Sequence, residues 1–394
     1  MHILHIIATL DPQAGGPSET VRVLISHAPQ DCTCEIVTLD HPAAAFLEEV
    51  PIPVHALGPR NSTYGSTRRL LPWLKANRDR FDGVVVHGLW QSTGLCAWRA
   101  VRGRVPYLVF THGMLDPYFK QAFPRKHMKK WVYWALAEYW VLRGAYRVLF
   151  TCEAEERLAR QSFWLHSWRA HVVPFGTVPP TGDAEQQKEA FFAVCPAARG
   201  RRFLLFLGRI HPKKGCDLLV SAFARVAALD PEIDLVMAGP DPQQWQTELQ
   251  IQAEASGVGY RIHWPGMLRG DAKWGAFLAS EAFVLPSHQE NFGIAVAEAL
   301  ACGRPVLLSD KVNIAAEIAA DGAGLMKPDT SAGTARLLER WNQMHGDARR
   351  AMAANALSCF AQRYDMRENA KAIVGLFEEA QSGTVGETRK RTIR

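Results

Sequence analysis

Short, unbroken apolar runs recur along the chain, each about five residues long and separated by longer stretches of helical spacing. In the first half they are Ile3–Ile7, Cys34–Leu39, Gly83–His87, Tyr107–Thr111, Val148–Thr151 and His171–Pro174. In the second half they are Arg202–Leu207, Asp234–Ala238, Arg261–Trp264, Ala282–Leu285 and Pro305–Ser309. Runs without polar alternation mark strands covered on both faces, and helices between such strands mark parallel βαβ units. The rhythm pauses after Pro174, where Phe175-Gly176-Thr177-Val178-Pro179-Pro180-Thr181-Gly182-Asp183 is rich in Pro and Gly, and restarts at Arg202. The expected fold is α/β, with two Rossmann-like, doubly wound parallel-sheet domains joined by a hinge and facing across a cleft. The first domain is expected over 1–175, with a C-terminal helix at about 363–380 packing back on it. The second is expected over 176–362, followed by a flexible basic tail at 381–394.

Composition narrows the class. The 394 residues suit two domains, and 48% hydrophobic against 21% charged residues suit buried cores. No apolar run is long enough to span a bilayer, and Met-His-Ile-Leu-His-Ile-Ile lacks the basic start of a signal peptide. The eight cysteines form no Cys-x-x-Cys pair, which disfavours zinc ribbons and redox sites and fits a cytoplasmic protein. The net charge of +6 is concentrated between Lys120 and Arg147 and in the tail Arg389, Lys390, Arg391, Arg394. Such an excess fits an anionic substrate or an anionic membrane surface, and no nucleic-acid motif accompanies it.

Four loops, each directly after an apolar run, carry candidate chemistry. In Ser287-His288-Gln289-Glu290-Asn291-Phe292-Gly293-Ile294, the chain passes from a strand into a helix expected over Ile294–Ala301, whose first turn offers unpaired N–H groups to a diphosphate. Glu290 stands at that loop and Glu298 follows eight residues later on the helix, within reach of a hydroxyl pair. In Gly208-Arg209-Ile210-His211-Pro212-Lys213-Lys214-Gly215, Gly208 permits a sharp turn and Arg209 and Lys214 bring two cations suited to phosphate oxygens. Gly15-Gly16 after the first run allows close backbone approach to a ligand, although neither a GxGxxG fingerprint nor a P-loop is present. His112, in Phe110-Thr111-His112-Gly113, follows a buried strand at its carboxyl end.

Together these motifs resemble glycosyltransferase family 4, the retaining GT-B enzymes of bacterial exopolysaccharide and surface-polysaccharide type, over nearly the whole chain. The signals are Glu290 and Glu298 in a Glu-x7-Glu pattern, the Gly208–Gly215 loop and the early Gly15-Gly16. The resemblance implies that Arg209 and Lys214 neutralise a donor diphosphate, that Glu290 holds the donor sugar and that Glu298 binds the ribose. It implies that His112 meets the sugar near the anomeric centre, and that Gly15 and Gly16 line the phosphates. Gly208, Asn291, Phe292, Gly293 and Ile294 complete the implied donor site. Phe175 departs from the family, many of whose members carry Asn there.

Blander readings compete. Glu298 alone would usually be a solvated helix residue and Arg209 or Lys214 a surface cation, but their motif context favours function. His112 leans to function, Gly15-Gly16 modestly so, and His87 stands evenly between a structural and an acceptor-side role. In Tyr118–Arg147, an ordinary helix with a core-facing aromatic stripe accounts for several aromatics. The cations before Trp131 suggest a face for membrane or for a lipid-linked acceptor.

The expected reaction is transfer of a hexose, with retention, from a UDP- or GDP-sugar to a saccharide acceptor linked to polyprenyl diphosphate. The expected place is the cytoplasm, peripheral to the membrane. No metal and no other cofactor are expected, since there is no Asp-x-Asp pair or His/Cys cluster. Three alternatives differ in class: a glycosidase using Glu290 and Glu298, which leaves Arg209 and Lys214 unexplained; a non-catalytic sugar-nucleotide-binding module; and a sugar-nucleotide epimerase of GT-B shape.

Overall fold

The computed structural model describes residues 1–14, 16–60, 64–118, 120 and 124–391. Gly15 lies outside the described residues, as do Phe119, Phe123 and Arg394. The chain divides into two compact units, Met1–Phe175 with Met366–Arg394, and Gly176–Asp365. The strands are β1 His2–Ile7, β2 Thr33–Thr38, β3 Val54–Ala56, β4 Gly83–His87, β5 Tyr107–Phe110, β6 Arg147–Phe150 and β7 Ala170–Val172. In the second unit they are β8 Arg202–Leu207, β9 Ile233–Ala238, β10 Ile262–Gly266, β11 Ala282–Leu285, β12 Val306–Ser309 and β13 Gly324–Lys327.

Among the described residues, the first unit holds a seven-stranded parallel sheet in the order β3-β2-β1-β4-β5-β6-β7. The second holds a six-stranded parallel sheet, β10-β9-β8-β11-β12-β13. Both sheets are doubly wound. The order reverses beside β1 in one and beside β8 in the other, and such reversal points open a crevice at the carboxyl ends of the strands.

Continuous apolar runs became the sheet centres. Val84, Val85 and Val86 of β4 and Phe203–Phe206 of β8 are fully buried, as strands covered on both faces require. β3 and β13 were not expected. Val54-His55-Ala56 and Gly324-Leu325-Met326-Lys327 are edge strands, only partly buried for the most part, so burial left little apolar signature on them. The final helix runs Met366–Arg391 and belongs to the first unit, where the Phe377 ring fills the space a side chain at Gly83 would need.

The basic, aromatic stretch is a helix interrupted once: α-helix Pro124–Tyr133, one π-helical turn Trp134–Glu138, then α-helix Tyr139–Gly144. Trp134 is fully buried and stacks on Phe163 at 4.2 Å, and Trp131 and Tyr139 pack on the same core. These aromatics are structural. Met128, Val132, Leu136 and Trp140, spaced four apart, instead stand 71%, 63%, 73% and 43% exposed.

Candidate donor site and a clamped histidine of the first unit

The loops after β8 and β11, which flank the reversal in the second sheet, carry most of the candidate residues. After β8, His211 caps the single 3-10 turn Pro212–Lys214 by accepting from the Lys213 N–H, and Gly215 turns the chain into helix Cys216–Leu229 with φ +66°. Only glycine fits there, because a Cβ at Gly215 would come within 2.2 Å of the Pro286 carbonyl oxygen at the end of β11. Gly208 plays a different part from the one expected. Its backbone is not in the left-handed region, and a Cβ there would make only an ordinary contact, 3.7 Å from the Phe206 ring. The steric demand falls on Gly239, φ +148°, whose Cβ would strike the Gly208 carbonyl at 1.8 Å. The His288 N–H donates to the Lys213 carbonyl at 2.9 Å and ties the two loops together.

After β11, Glu290 is held at both backbone atoms. Its N–H donates to Lys311 O at 3.0 Å and its carbonyl accepts from Asn313 N at 3.1 Å. Gly293, φ +77°, opens helix Ile294–Ala301, whose extent is the one expected. The Lys214 ammonium donates to Glu290 Oε2, joining the two loops by an ion pair between side chains each 17% exposed. Arg209 is exposed and has no hydrogen bond or ion pair among the described residues. Lys214 and Arg209 thus share the loop after β8, and Lys214 meets the loop that leads into helix Ile294–Ala301, whose first-turn N–H groups suit a diphosphate.

Of the remaining expected residues, Ile294 begins the helix partly exposed, and Asn291 accepts from Asn313 Nδ2 at 3.3 Å. Phe292 is a packing residue, 5% exposed with its ring 5.7 Å from Tyr364. Glu298 is buried and accepts from Lys273 Nζ at 2.6 Å. Lys273 also lies 4.4 Å from the Trp274 ring centroid, on helix Gly270–Ala279. Sequence reading missed Lys273, because its partner lies 25 residues away and nothing local marks it.

In the first unit, His112 follows β5 with φ +48°, a conformation a non-glycine residue holds at a cost of about 1–3 kcal/mol. Glu155, also missed, holds it there. One carboxylate oxygen accepts from Thr111 Oγ1 (2.6 Å) and Gly113 N (2.7 Å), on either side of the histidine. The other accepts from Thr151 N (2.8 Å) and Thr151 Oγ1 (2.6 Å) at the end of β6. The imidazole stacks on Phe110 at 4.5 Å, with Phe175 edge-on at 6.4 Å. Phe175, the departure from the family pattern, thus packs against the histidine's platform within the first unit. Burial pushes the His112 pKa down to about 3, so the ring is neutral at physiological pH. His87 is buried, its Nδ1 3.1 Å from His112 Nε2. Gly16 is exposed at the start of helix Gly16–Ser26 with open space where a Cβ would stand, so packing does not require a glycine there. No group of three or more potential metal ligands occurs among the described residues.

Residues 15–176 match the Glycosyl transferase 4-like domain, and residues 187–358 match Glycosyl transferases group 1. The first match falls on the first unit and the second within the second unit. The α-D-kanosaminyltransferase of Streptomyces kanamyceticus is 25% identical over 355 residues, 85% of this chain and 88% of that protein. The D-inositol 3-phosphate glycosyltransferase of Jonesia denitrificans is 30% identical over 173 residues, 41% of this chain and 40% of that protein. Among the first relatives of that name, this chain spans about a quarter to a half of their length. The structure of Anabaena HepE in complex with UDP aligns with a TM-score of 0.77 at 19% identity, covering 96% of this chain and all of that one. Sucrose-phosphate synthase from Thermosynechococcus elongatus aligns with a TM-score of 0.74 at 21% identity, covering 97% and 99%. At such identities the likeness establishes the fold, two Rossmann-like domains of the GT-B class.

Proposed function

We propose that the chain is a retaining glycosyltransferase that moves a hexose from a nucleotide sugar to a saccharide acceptor. The observation that carries this reading is the meeting of Lys214 with Glu290 across the loops after β8 and β11, at the reversal of the second sheet, with Arg209 on the first loop and helix Ile294–Ala301 following the second. In this reading the anomeric C–O bond to the donor diphosphate breaks while the acceptor oxygen bonds to the same face. The acceptor proton passes to the leaving phosphate, which departs as a nucleoside diphosphate. Charge grows on that diphosphate, and Arg209, Lys214 and the helix N–H groups oppose it from fixed positions. Donor binding draws Lys214 from Glu290 and frees the carboxylate for sugar hydroxyls. Glu298, oriented by Lys273, takes the ribose hydroxyls, and neutral His112 meets the sugar. These residues call for no metal and no further cofactor. UDP is the first nucleotide to test, given its presence in the HepE structure, with GDP next.

The finer reading is an acceptor carried on polyprenyl diphosphate, in polysaccharide assembly at the inner face of the membrane. The exposed row Met128, Val132, Leu136, Trp140 supports it, set on a helix that also exposes Arg125, Lys129 and Arg143. An apolar row flanked by cations suits an anionic leaflet, where each cation is worth about 1 kcal/mol.

Nucleotide release measured with UDP- and GDP-sugars, with and without acceptor, tests the activity. Release that depends on acceptor, with sugar incorporated in the anomeric configuration of the donor, is the expected result. Release without acceptor, or interconversion of donor sugars, overturns it. Co-sedimentation with anionic vesicles tests the finer reading, and the V132E/L136E variant is expected to lose binding. Equal recovery of both forms with neutral and anionic vesicles counts against it.

A further inference from the structure

Three imidazoles climb diagonally across adjacent strands of the first sheet. His5 lies in β1, paired with Val85; His87 ends β4, paired with Phe110; His112 follows β5. His5 Nδ1 is 3.0 Å from His87 Nε2, and His87 Nδ1 is 3.1 Å from His112 Nε2. The rings stack in sequence at 5.3 and 5.4 Å, tilted by only 21° and 25°. His5 and His87 are each 2% exposed, while His112 is half-buried.

From this geometry we infer that His87 and His5 are positioning residues that set the hydrogen-bonding form of His112, and that the three rings behave as one unit. Each nitrogen–nitrogen contact of about 3 Å needs one proton, no more and no fewer. All three rings are neutral near pH 7: burial lowers His5 to about 4 and His112 to about 3, and burial with the neighbouring imidazoles lowers His87 well below the ordinary value. A neutral imidazole carries one N–H. Only two arrangements then satisfy both contacts. In one, every ring is protonated at Nδ1: His5 donates to His87, His87 donates to His112, and His112 Nδ1–H faces outward. In the other, every ring is protonated at Nε2, donation runs the opposite way, and His112 Nδ1 is a bare acceptor.

The two ends of the row decide between them. Neither His5 Nε2 nor His112 Nδ1 has a hydrogen-bond partner among the described residues. The Nε2–H arrangement would put the outer donor on His5, which at 2% exposure has little water to donate to. The Nδ1–H arrangement leaves an acceptor there, which is tolerated better than a poorly solvated N–H, and puts the donor at the more accessible end. His112 thereby presents Nδ1–H to an oxygen of its ligand, and donation received from His87 at Nε2 holds both the ring's angle and its form. The ligand oxygen belongs to the donor sugar, and on this point the inference rests on the proposed function.

Proton–nitrogen correlation spectra of the histidine-labelled full-length protein, with resonances assigned by single substitutions, test the inference. The wild-type protein is expected to show all three rings neutral in the Nδ1–H form at pH 7. In H87F, which keeps a ring in the same space, His112 is expected to lose that uniform form, and turnover is expected to fall roughly 10–100-fold, the range typical when a group orienting a histidine is removed. An Nε2–H form of His112 in the wild-type protein overturns the inference without any variant. So does a folded H87F with His112 unchanged in form or with turnover unchanged. H112A separates the two layers. Normal transfer in H112A refutes the sugar contact assigned under the proposed function, and the ring forms in wild type and H87F then decide the positioning claim alone.

Discussion

The candidate side chains stand on backbone that is over-determined. Lys214 sits between a glycine that no other residue can replace and a loop pinned to the β12 end at both backbone atoms of Glu290. K214A is therefore expected to fold normally while transfer falls about 10²–10³-fold, the loss seen when one charge-stabilising donor is removed. Steady-state kinetics on a variant with a native melting curve checks this, and near-normal turnover would remove Lys214 from the mechanism. Glu155 works at one remove. Its carboxylate accepts four hydrogen bonds and holds His112 in a left-handed conformation. Glutamine in its place turns one acceptor into a donor facing other donors, so E155Q is expected to lose about 1–3 kcal/mol of stability. It is also expected to lower transfer through His112. Denaturant unfolding beside a transfer assay reads both effects, and a variant as stable and active as wild type refutes the clamp.

At the scale of elements, legibility in the sequence followed burial. β4, β8 and β11 were readable residue for residue because each lies inside its sheet, and helix Ile294–Ala301 because glycines bound it. β3 and β13 were not, since edge strands of mixed polarity lack the continuous apolar run. Among the candidate site residues, those set in a local motif were visible: Arg209, Lys214, Glu290 and Glu298. Lys273, Glu155 and His5 act through partners 25 to 82 residues away, and only folding brings them together. The π-helical turn Trp134–Glu138 is another element without a local signature. It delivers Glu138, 1% exposed, to the Trp90 N–H at 2.7 Å, with Oε2 unpartnered. Burial raises this carboxyl to about 7, against the pull of the Trp90 N–H and the Lys130 charge. The folded-state pKa lies above the unfolded one. The group's stabilising contribution is therefore fully present below about 4.5 and is lost as pH rises through about 7, at up to about 1.4 kcal/mol per pH unit. E138Q stays neutral and keeps the acceptor for Trp90. Its melting temperature is expected to gain on wild type steadily from pH 5 to pH 7.5, and parallel curves would show that Glu138 is not a buried acid.

The molecule as a whole is one domain inserted into another. The second unit is a single uninterrupted stretch, Gly176–Asp365, whereas the first is closed by the final helix. The two ends of the insertion meet: Thr177 pairs with Asp365, the Thr177 N–H donates to Tyr364 O at 3.1 Å, and a side chain at Gly176 would collide with that same carbonyl. Adjacent ends and a separate buried sheet are the conditions under which a segment folds alone. Residues 176–365 expressed alone are therefore expected to unfold in one cooperative transition. Since Arg209, Lys214, Glu290 and Glu298 all lie within them, the fragment is also expected to bind the nucleotide that the full chain binds. At ligand concentrations 100-fold above Kd, binding adds about 2.7 kcal/mol, a clear rise in melting temperature. The rise is expected to survive EDTA, because in the proposed reading two side-chain cations and a helix N-terminus take the diphosphate. Transfer is expected to be absent, because His112 is missing. A fragment that folds yet ignores a nucleotide the full chain binds would mean that the donor contacts are not contained in the second unit. A rise abolished by EDTA and restored by Mg²⁺ or Mn²⁺ would instead leave the location standing and replace the cations by a metal.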